Sequence, residues 1–258
     1  MKIVIMGAGK MGVWLSDALC LQHEVAVIDH DINRLKYVFN TIRLVNVDEI
    51  VAFNPDILIN AVDLQHTRGA FEQVLPSLSK SCIVADIASV KNGLKDYYQS
   101  IEHDFVSVHP MFGPTFASLN NLSNHHAVII SESCEKGKSF FRSFFLSLGI
   151  HLHDYSFDEH DRTIAYSLSV PFASTLVFGA CMKKQEAPGT TFEKHFNIAR
   201  GLLSEDDHLL SEILFNPYTV PQLESISAEL EHLIALIKER NSAGMKGFLH
   251  QIRNNLLA

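Results

Sequence analysis

The sequence predicts an α/β fold followed by an all-helical domain, and three observations carry that prediction. Short apolar runs alternate with helix-like segments up to about residue 156, the pattern of a parallel sheet with crossover helices. From Glu159 onward strand-like runs vanish and the apolar spacing becomes helical. Apolar residues make up 47% of the 258, ample for packed cores, while charged residues make up only 19%. The expected domains are therefore 1–156 and 157–258.

The elements follow in order. Strands are expected at Lys2–Met6, Glu24–Asp29, Asp56–Ala61, Ile83–Asp86, Phe105–His109 and Ala127–Ile130, with a last short one near His151–Tyr155. Helices are expected at Met11–Leu21, Thr67–Leu75, Asn92–Ile101 and Lys136–Leu148. In the second half the clearest helix is Leu223–Arg240, where Ile226, Leu230, Leu233, Ile234 and Ile237 share one stripe. Breaks fall at Ala187-Pro188-Gly189 and Asn216-Pro217. Trp14 and the Phe140–Phe145 cluster read as core packing.

Composition excludes several function classes. Twenty-one basic against 29 acidic residues give a net charge of −8, unsuited to a phosphate-backbone binder, so no nucleic-acid partner is expected. Cys20, Cys82, Cys134 and Cys181 form no CxxC pair and suit a reducing compartment. No signal peptide is visible, which points to the cytoplasm. The charge-free run Thr163–Met182 is long enough to span a bilayer, but its hydroxyl residues and Pro171 favour a helix buried at a core or subunit interface. A helical half this poor in charge covers its own apolar faces badly, so a homodimer is expected. His125-His126 and His151-x-His153 lack accompanying ligands at metal-site spacing, and no metal is expected.

Gly7-Ala8-Gly9-Lys10-Met11-Gly12 is a GxGxxG directly after a strand and at the opening of a helix. The first glycine permits the tight turn, the second lets a pyrophosphate approach, and the third lets helix and strand pack closely. The helix N-terminus faces the anion. The next strand ends in Asp29, seventeen residues after Gly12, where an acid can accept both ribose hydroxyls and repel a 2′-phosphate. NAD is thus favoured over NADP, although Arg34 keeps NADP open. The expected cofactor contacts are Gly7, Gly9, Lys10, Met11, Gly12, Asp29, Val62 and Ser89.

Two further segments sit beyond expected strand ends, where doubly wound sheets place ligands. They are Asp86-Ile87-Ala88-Ser89-Val90-Lys91-Asn92-Gly93 and Val108-His109-Pro110-Met111-Phe112-Gly113-Pro114. A histidine at a strand tip, with an ordinary pKa of about 6.5, can exchange protons near neutrality. His109 is the expected acid–base group and Ser89 its partner or a substrate contact. Lys91 reads either as a substrate contact or as a solvated lysine. Glu159-His160-Asp161 reads equally as a helix cap and as part of a cleft.

With GAGKMG, DIASVKNG, HPMFGP, the EHD at 159–161 and Ile198-Ala199-Arg200, the chain resembles the prephenate/arogenate dehydrogenases of tyrosine biosynthesis. It looks closest to the dehydrogenase part of the bifunctional chorismate mutase–prephenate dehydrogenases, up to about residue 240. The resemblance implies a Rossmann domain, a helical dimerisation domain, and oxidative decarboxylation of prephenate to 4-hydroxyphenylpyruvate with hydride transfer to NAD. It implies that His109 takes the ring-hydroxyl proton, that Ser89 orients that hydroxyl, and that Arg200 binds a substrate carboxylate. One departure stands out: Phe172 occupies a position where the family usually has a substrate-contacting histidine, and Lys194 or His195 is the available substitute. The rivals are an arogenate dehydrogenase, a 3-hydroxyacid dehydrogenase, for which no lysine motif stands out, and a non-catalytic NAD-binding sensor.

Overall fold

The computed structural model describes residues 1–112, 122–183 and 185–257. The chain divides into two compact units, Met1–Thr163 and Ile164–Ala258. The division falls inside the helix that opens at Phe157, a little later than the change of pattern in the sequence.

In the first unit eight strands make one sheet: β1 (Lys2–Met6), β2 (Glu24–Ile28), β3 (Ile42–Leu44), β4 (Ile57–Asn60), β5 (Ile83–Asp86), β6 (Phe105–Pro110), β7 (His126–Ile130) and β8 (His151–Tyr155). Their order is β3-β2-β1-β4-β5-β6-β7-β8, and all neighbours run parallel except β6 and β7. Helices α1 (Lys10–Leu19), α2 (Val47–Phe53), α3 (Thr67–Val74), α4 (Leu94–Ser100) and α5 (Glu135–Ser147) cover the faces. Parallel strands buried on both sides need apolar residues at successive positions, which is why these strands read as continuous runs. Ile3 and Ile5 face Trp14 and Leu15 of α1 with Phe141 and Phe145 of α5. Val4 and Leu58 face Phe71 of α3 and Tyr98 of α4 across the sheet.

In this unit the strand β3 and the helix α2 escaped the sequence reading. The edge strand β3 has three residues and buries only Leu44, too little for a period to show. Helix α2 follows at once and is held by its cap, with the Asn46 side chain accepting from Glu49 N–H at 3.0 Å and Glu49 accepting from Val45 N–H at 2.8 Å.

The second half opens with α6 (Phe157–Ile164), then one wide π-helical turn over Ala165–Ser169, then α7 (Val170–Cys181). Pro171 has no N–H to continue the regular ladder, which accounts for a widened turn just before it. Helices α8 (Thr190–Leu202), α9 (Asp207–Leu214), α10 (Thr219–Lys238) and α11 (Ser242–Asn255) complete the unit. Ser169 ties three of its segments together, donating to the Ile213 carbonyl at 2.8 Å and accepting from the Thr219 hydroxyl at 2.9 Å. Few large side chains are buried here. Helix α7, expected to be buried, has no fully buried residue in the single chain, and Leu230, Ile234 and Ile237 of the α10 stripe are exposed. The helix Phe157–Cys181 is long and apolar enough to cross a membrane by length and composition.

Candidate active site

The chain leaves β1 toward β2 and leaves β4 toward β5, so the crevice between their carboxyl ends is the topological switch point. A cavity of about 630 Å³ opens there, lined by Gly7, Gly9, Asp29, Arg34 and Val62 among others. Gly7 adopts φ +101°, and its N–H donates to the Ile28 carbonyl at 2.8 Å. A Cβ at Gly12 would strike the Gly7 carbonyl, whereas one at Gly9 would meet nothing within 4 Å. Helix α1 begins at Lys10 with no side-chain cap and no acid in its first turn. Free space above Gly9 and uncapped N–H groups behind it are what a pyrophosphate requires, and the loop fits the cofactor read from the sequence.

Asp29 reaches this cavity in a state the sequence could not reveal. Its carboxylate accepts from Ala8 N–H at 2.7 Å and from Asp31 N–H at 2.8 Å, and its side chain is only 2% exposed. Asp29 thus fastens the glycine loop to the end of β2. Each oxygen keeps a second lone pair, so a ribose hydroxyl still has an acceptor. His30 lies 3.2 Å from the same carboxylate and is largely exposed. Val62 is shaped from below by the buried Asn60, which accepts from Val62 N–H at 3.3 Å and donates to the Thr67 carbonyl at 2.8 Å.

The second constellation lies beyond β5 and β6. Lys91 corrects one of the two sequence readings: it is not solvated, its ammonium being fully buried. It donates to Asp86 at 2.6 Å and to the Val108 carbonyl at 2.8 Å. Burial pulls the Lys91 pKa down while the Asp86 carboxylate opposes that pull. Tyr98 donates to the other Asp86 oxygen at 2.6 Å, and Ala88 N–H donates to the first at 3.0 Å. Burial, then Asp86, raises the Tyr98 phenol well above its ordinary value, so it remains a donor. This network fixes the loop bearing Ser89, which is half-buried.

His109 is the last residue but one of β6 and is 6% exposed. Its Nδ1 lies 3.0 Å from His160 Nε2, and His160 Nδ1 lies 3.0 Å from an Asp161 carboxylate oxygen. Burial first, and then the facing His160 and Lys91, hold the His109 pKa well below its ordinary value. The imidazole is therefore neutral at pH 7, as a proton acceptor must be. The cap reading of the EHD segment holds for Glu159, and His160 meets His109. Ser156 and Glu159 form a reciprocal cap, with Glu159 accepting from Ser156 N–H at 2.7 Å and Ser156 Oγ accepting from Glu159 N–H at 3.2 Å. That cap sets the first turn of α6, from which His160 reaches His109 and Asp161 reaches His160. Within the HPMFGP segment, Gly113 and Pro114 lie outside the described residues.

Arg200 sits on α8 in the second unit, exposed, with its guanidinium 6.0 Å from the Phe196 ring centre. Lys194 is exposed, and His195 Nδ1 is occupied by the Thr191 carbonyl at 2.9 Å. Among the described residues no group of three His, Cys, Asp or Glu side chains is placed to hold a metal ion, although His126 and His153 meet at 2.9 Å.

The comparisons with known proteins agree with this fold. The family model of the prephenate dehydrogenase nucleotide-binding domain matches residues 18–145. A probable arogenate/prephenate dehydrogenase of Methanocaldococcus jannaschii is 23% identical over 93% of this chain, and the chain spans 57% of that protein's length. The T-protein of Enterobacter agglomerans is 28% identical over 51% of the chain and 34% of its own length. Among solved structures, prephenate dehydrogenase from A. aeolicus, in complex with hydroxyphenyl propionate and NAD+, superposes with a TM-score of 0.85 at 17% identity. That match covers 100% of this chain and 97% of the other. Synechocystis arogenate dehydrogenase gives 0.76 at 19% identity, covering 99% and 98%. With its nucleotide-binding fold, its glycine loop and a buried histidine at the end of β6, the chain is similar to the prephenate/arogenate dehydrogenases, whose nucleotide-binding domain it matches over residues 18–145.

Proposed function

We propose that the protein is an NAD-dependent prephenate dehydrogenase, converting prephenate to 4-hydroxyphenylpyruvate in tyrosine synthesis. The observation that carries this reading is a buried, neutral His109 in the same unit as an open dinucleotide crevice. Held by the glycine loop, Asp29 and Val62, NAD would supply the acceptor for the hydride of the carbinol carbon. His109 takes the hydroxyl proton as the C=O bond forms. It returns that proton to the same oxygen after the ring carboxylate leaves as carbon dioxide, with the electron pair of the broken bond passing through the ring to that oxygen. The proton balance closes within the cleft. Ser89 orients the hydroxyl, and Arg200 clamps a carboxylate through its two-pronged guanidinium. NAD is preferred because the Asp29 carboxylate at the cavity wall opposes a 2′-phosphate.

The helical half pairs with a second copy. Its support is the exposed apolar surface of α10, led by Leu230, Ile234 and Ile237, and the charge-free α7. Four free cysteines suit the cytoplasm. The direct test measures reduced nicotinamide with prephenate or arogenate and with NAD or NADP. Prephenate with NAD should give the highest kcat/KM. Turnover with arogenate alone would move the substrate assignment, and tight NAD binding without turnover on either would leave a sensor.

A further inference from the structure

We propose that Asp161 and His160 are positioning residues that lock His109 in the tautomer protonated on Nδ1, leaving Nε2 bare to receive the substrate proton. The inference rests on the reading of His109 as the base, and extends it to two residues that touch neither substrate nor cofactor in that reading.

The hydrogen bonds fix the order of the protons. A carboxylate oxygen only accepts, so the nitrogen 3.0 Å from Asp161, His160 Nδ1, carries a proton. A neutral His160 then presents Nε2 as a lone pair. His109 Nδ1 stands 3.0 Å from that lone pair and must donate to it. The reverse order would set the His160 Nδ1 lone pair against the Asp161 carboxylate in a buried site, with no donor between them.

A doubly protonated His160 would also break the order, because both its nitrogens would donate. Burial disfavours that state, as does the Lys91 ammonium, while Asp161 and Asp86 favour it; the balance lies below the ordinary histidine value. The charged and titratable groups facing the pair are therefore Lys91 and Asp86 from the β5 side and Asp161 from α6. Each end of the chain is fixed independently, since His160 is fully buried and the cap formed by Ser156 and Glu159 sets its helical turn.

Asp161→Asn is the decisive variant, being isosteric and at the rim, where the side chain is 17% exposed. Its amide can donate to His160 Nδ1, which reverses every bond and puts the proton on His109 Nε2. We expect kcat to fall by about 10²-fold or more, approaching the loss on removing a general base, while KM and NAD affinity stay within about threefold. His160→Gln keeps an acceptor for His109 Nδ1 and should retain far more activity than His160→Leu. Nitrogen-15 spectra of labelled protein should show His109 protonated on Nδ1 at pH 7.5, and on Nε2 in Asp161→Asn.

The proposal is overturned if Asp161→Asn keeps kcat within twofold, or if the nitrogen-15 pattern of His109 is the same in both proteins. It is overturned equally if His160→Leu matches His160→Gln. His109→Asn run beside them separates the two ideas. A near-normal His109→Asn removes the base itself, whereas an inactive His109→Asn with an active Asp161→Asn removes only the positioning.

Discussion

The two units solve the problem of burial differently. In the first, β1 alone inserts Ile3, Val4 and Ile5 into cores on both faces of the sheet, each at 0% exposure. In the second, α10 runs for 20 residues and fully buries only Thr219 and Leu236, while Ile237 is 59% exposed. A sheet covered on both sides is complete within one chain. Helices with apolar faces on several sides are completed by another surface. The cofactor loop and His109 belong to the complete unit, and the exposed apolar surface belongs to the other.

The largest effects should come from breaking the complete unit. Phe141→Ala empties a fully buried site between α5 and the sheet and should cost about 3–5 kcal/mol in denaturant unfolding. Lys91→Met should cost about as much, because it strands the Asp86 carboxylate inside the protein. A cost near zero would mean that water reaches the pair. In the second unit the expectation reverses. Ile237→Glu should leave the helicity intact yet shift sedimentation from about twice 28.9 kDa toward the single-chain mass. An unchanged mass with the protein in solution would remove α10 from the interface, and recovery of the unmutated protein with membranes would reassign the apolar helix Phe157–Cys181.

Acid should separate the units more gently. Burial lowers the pKa of His23, His103, His109 and His160, all in the first unit. A histidine whose folded pKa is depressed binds fewer protons folded than unfolded between that value and about 6.5. Stability should therefore fall as pH drops below about 6.5, flattening only beneath the folded values. Unfolding midpoints of the first unit at pH 7.5 and 5 test the sign. The smallest effect is at Asp29. Asp29→Ser should narrow the preference for NAD over NADP by about tenfold, the order of one removed charge repulsion at the cavity wall. The loss of its two hydrogen bonds from Ala8 and Asp31 N–H adds a second signature, a modest loss of affinity for both cofactors. Equal kcat/KM for NAD and NADP in the unmutated protein would refute the reading.

What was legible in the sequence was local. The glycine loop, the apolar strands and the switch to helices are patterns within a few dozen residues, and the structure builds them nearly where they were read. Three-residue β3 carried no period. Lys91 looked solvated because its partners, Asp86 and the carbonyl of Val108, come together only when β5 and β6 pair. His160 was visible as a candidate, but its meeting with His109 spans 51 residues of chain. A cap motif at Ser156 and Glu159 was the one local clue to where that histidine would point.

The buried lysine has a consequence for how the protein comes into being. A cation so placed is tolerable only beside its carboxylate, so the loop behind Ser89 has no half-formed state of low energy. Freeing that loop would expose Asp86, Lys91 and Tyr98 together and loosen the strand that bears His109. Local fraying, the usual fate of surface loops, is thereby tied to opening of the sheet itself. A chain caught partway through folding lacks the buried setting of His109 altogether, and that setting should arrive in one step with the closing of β5 on β6.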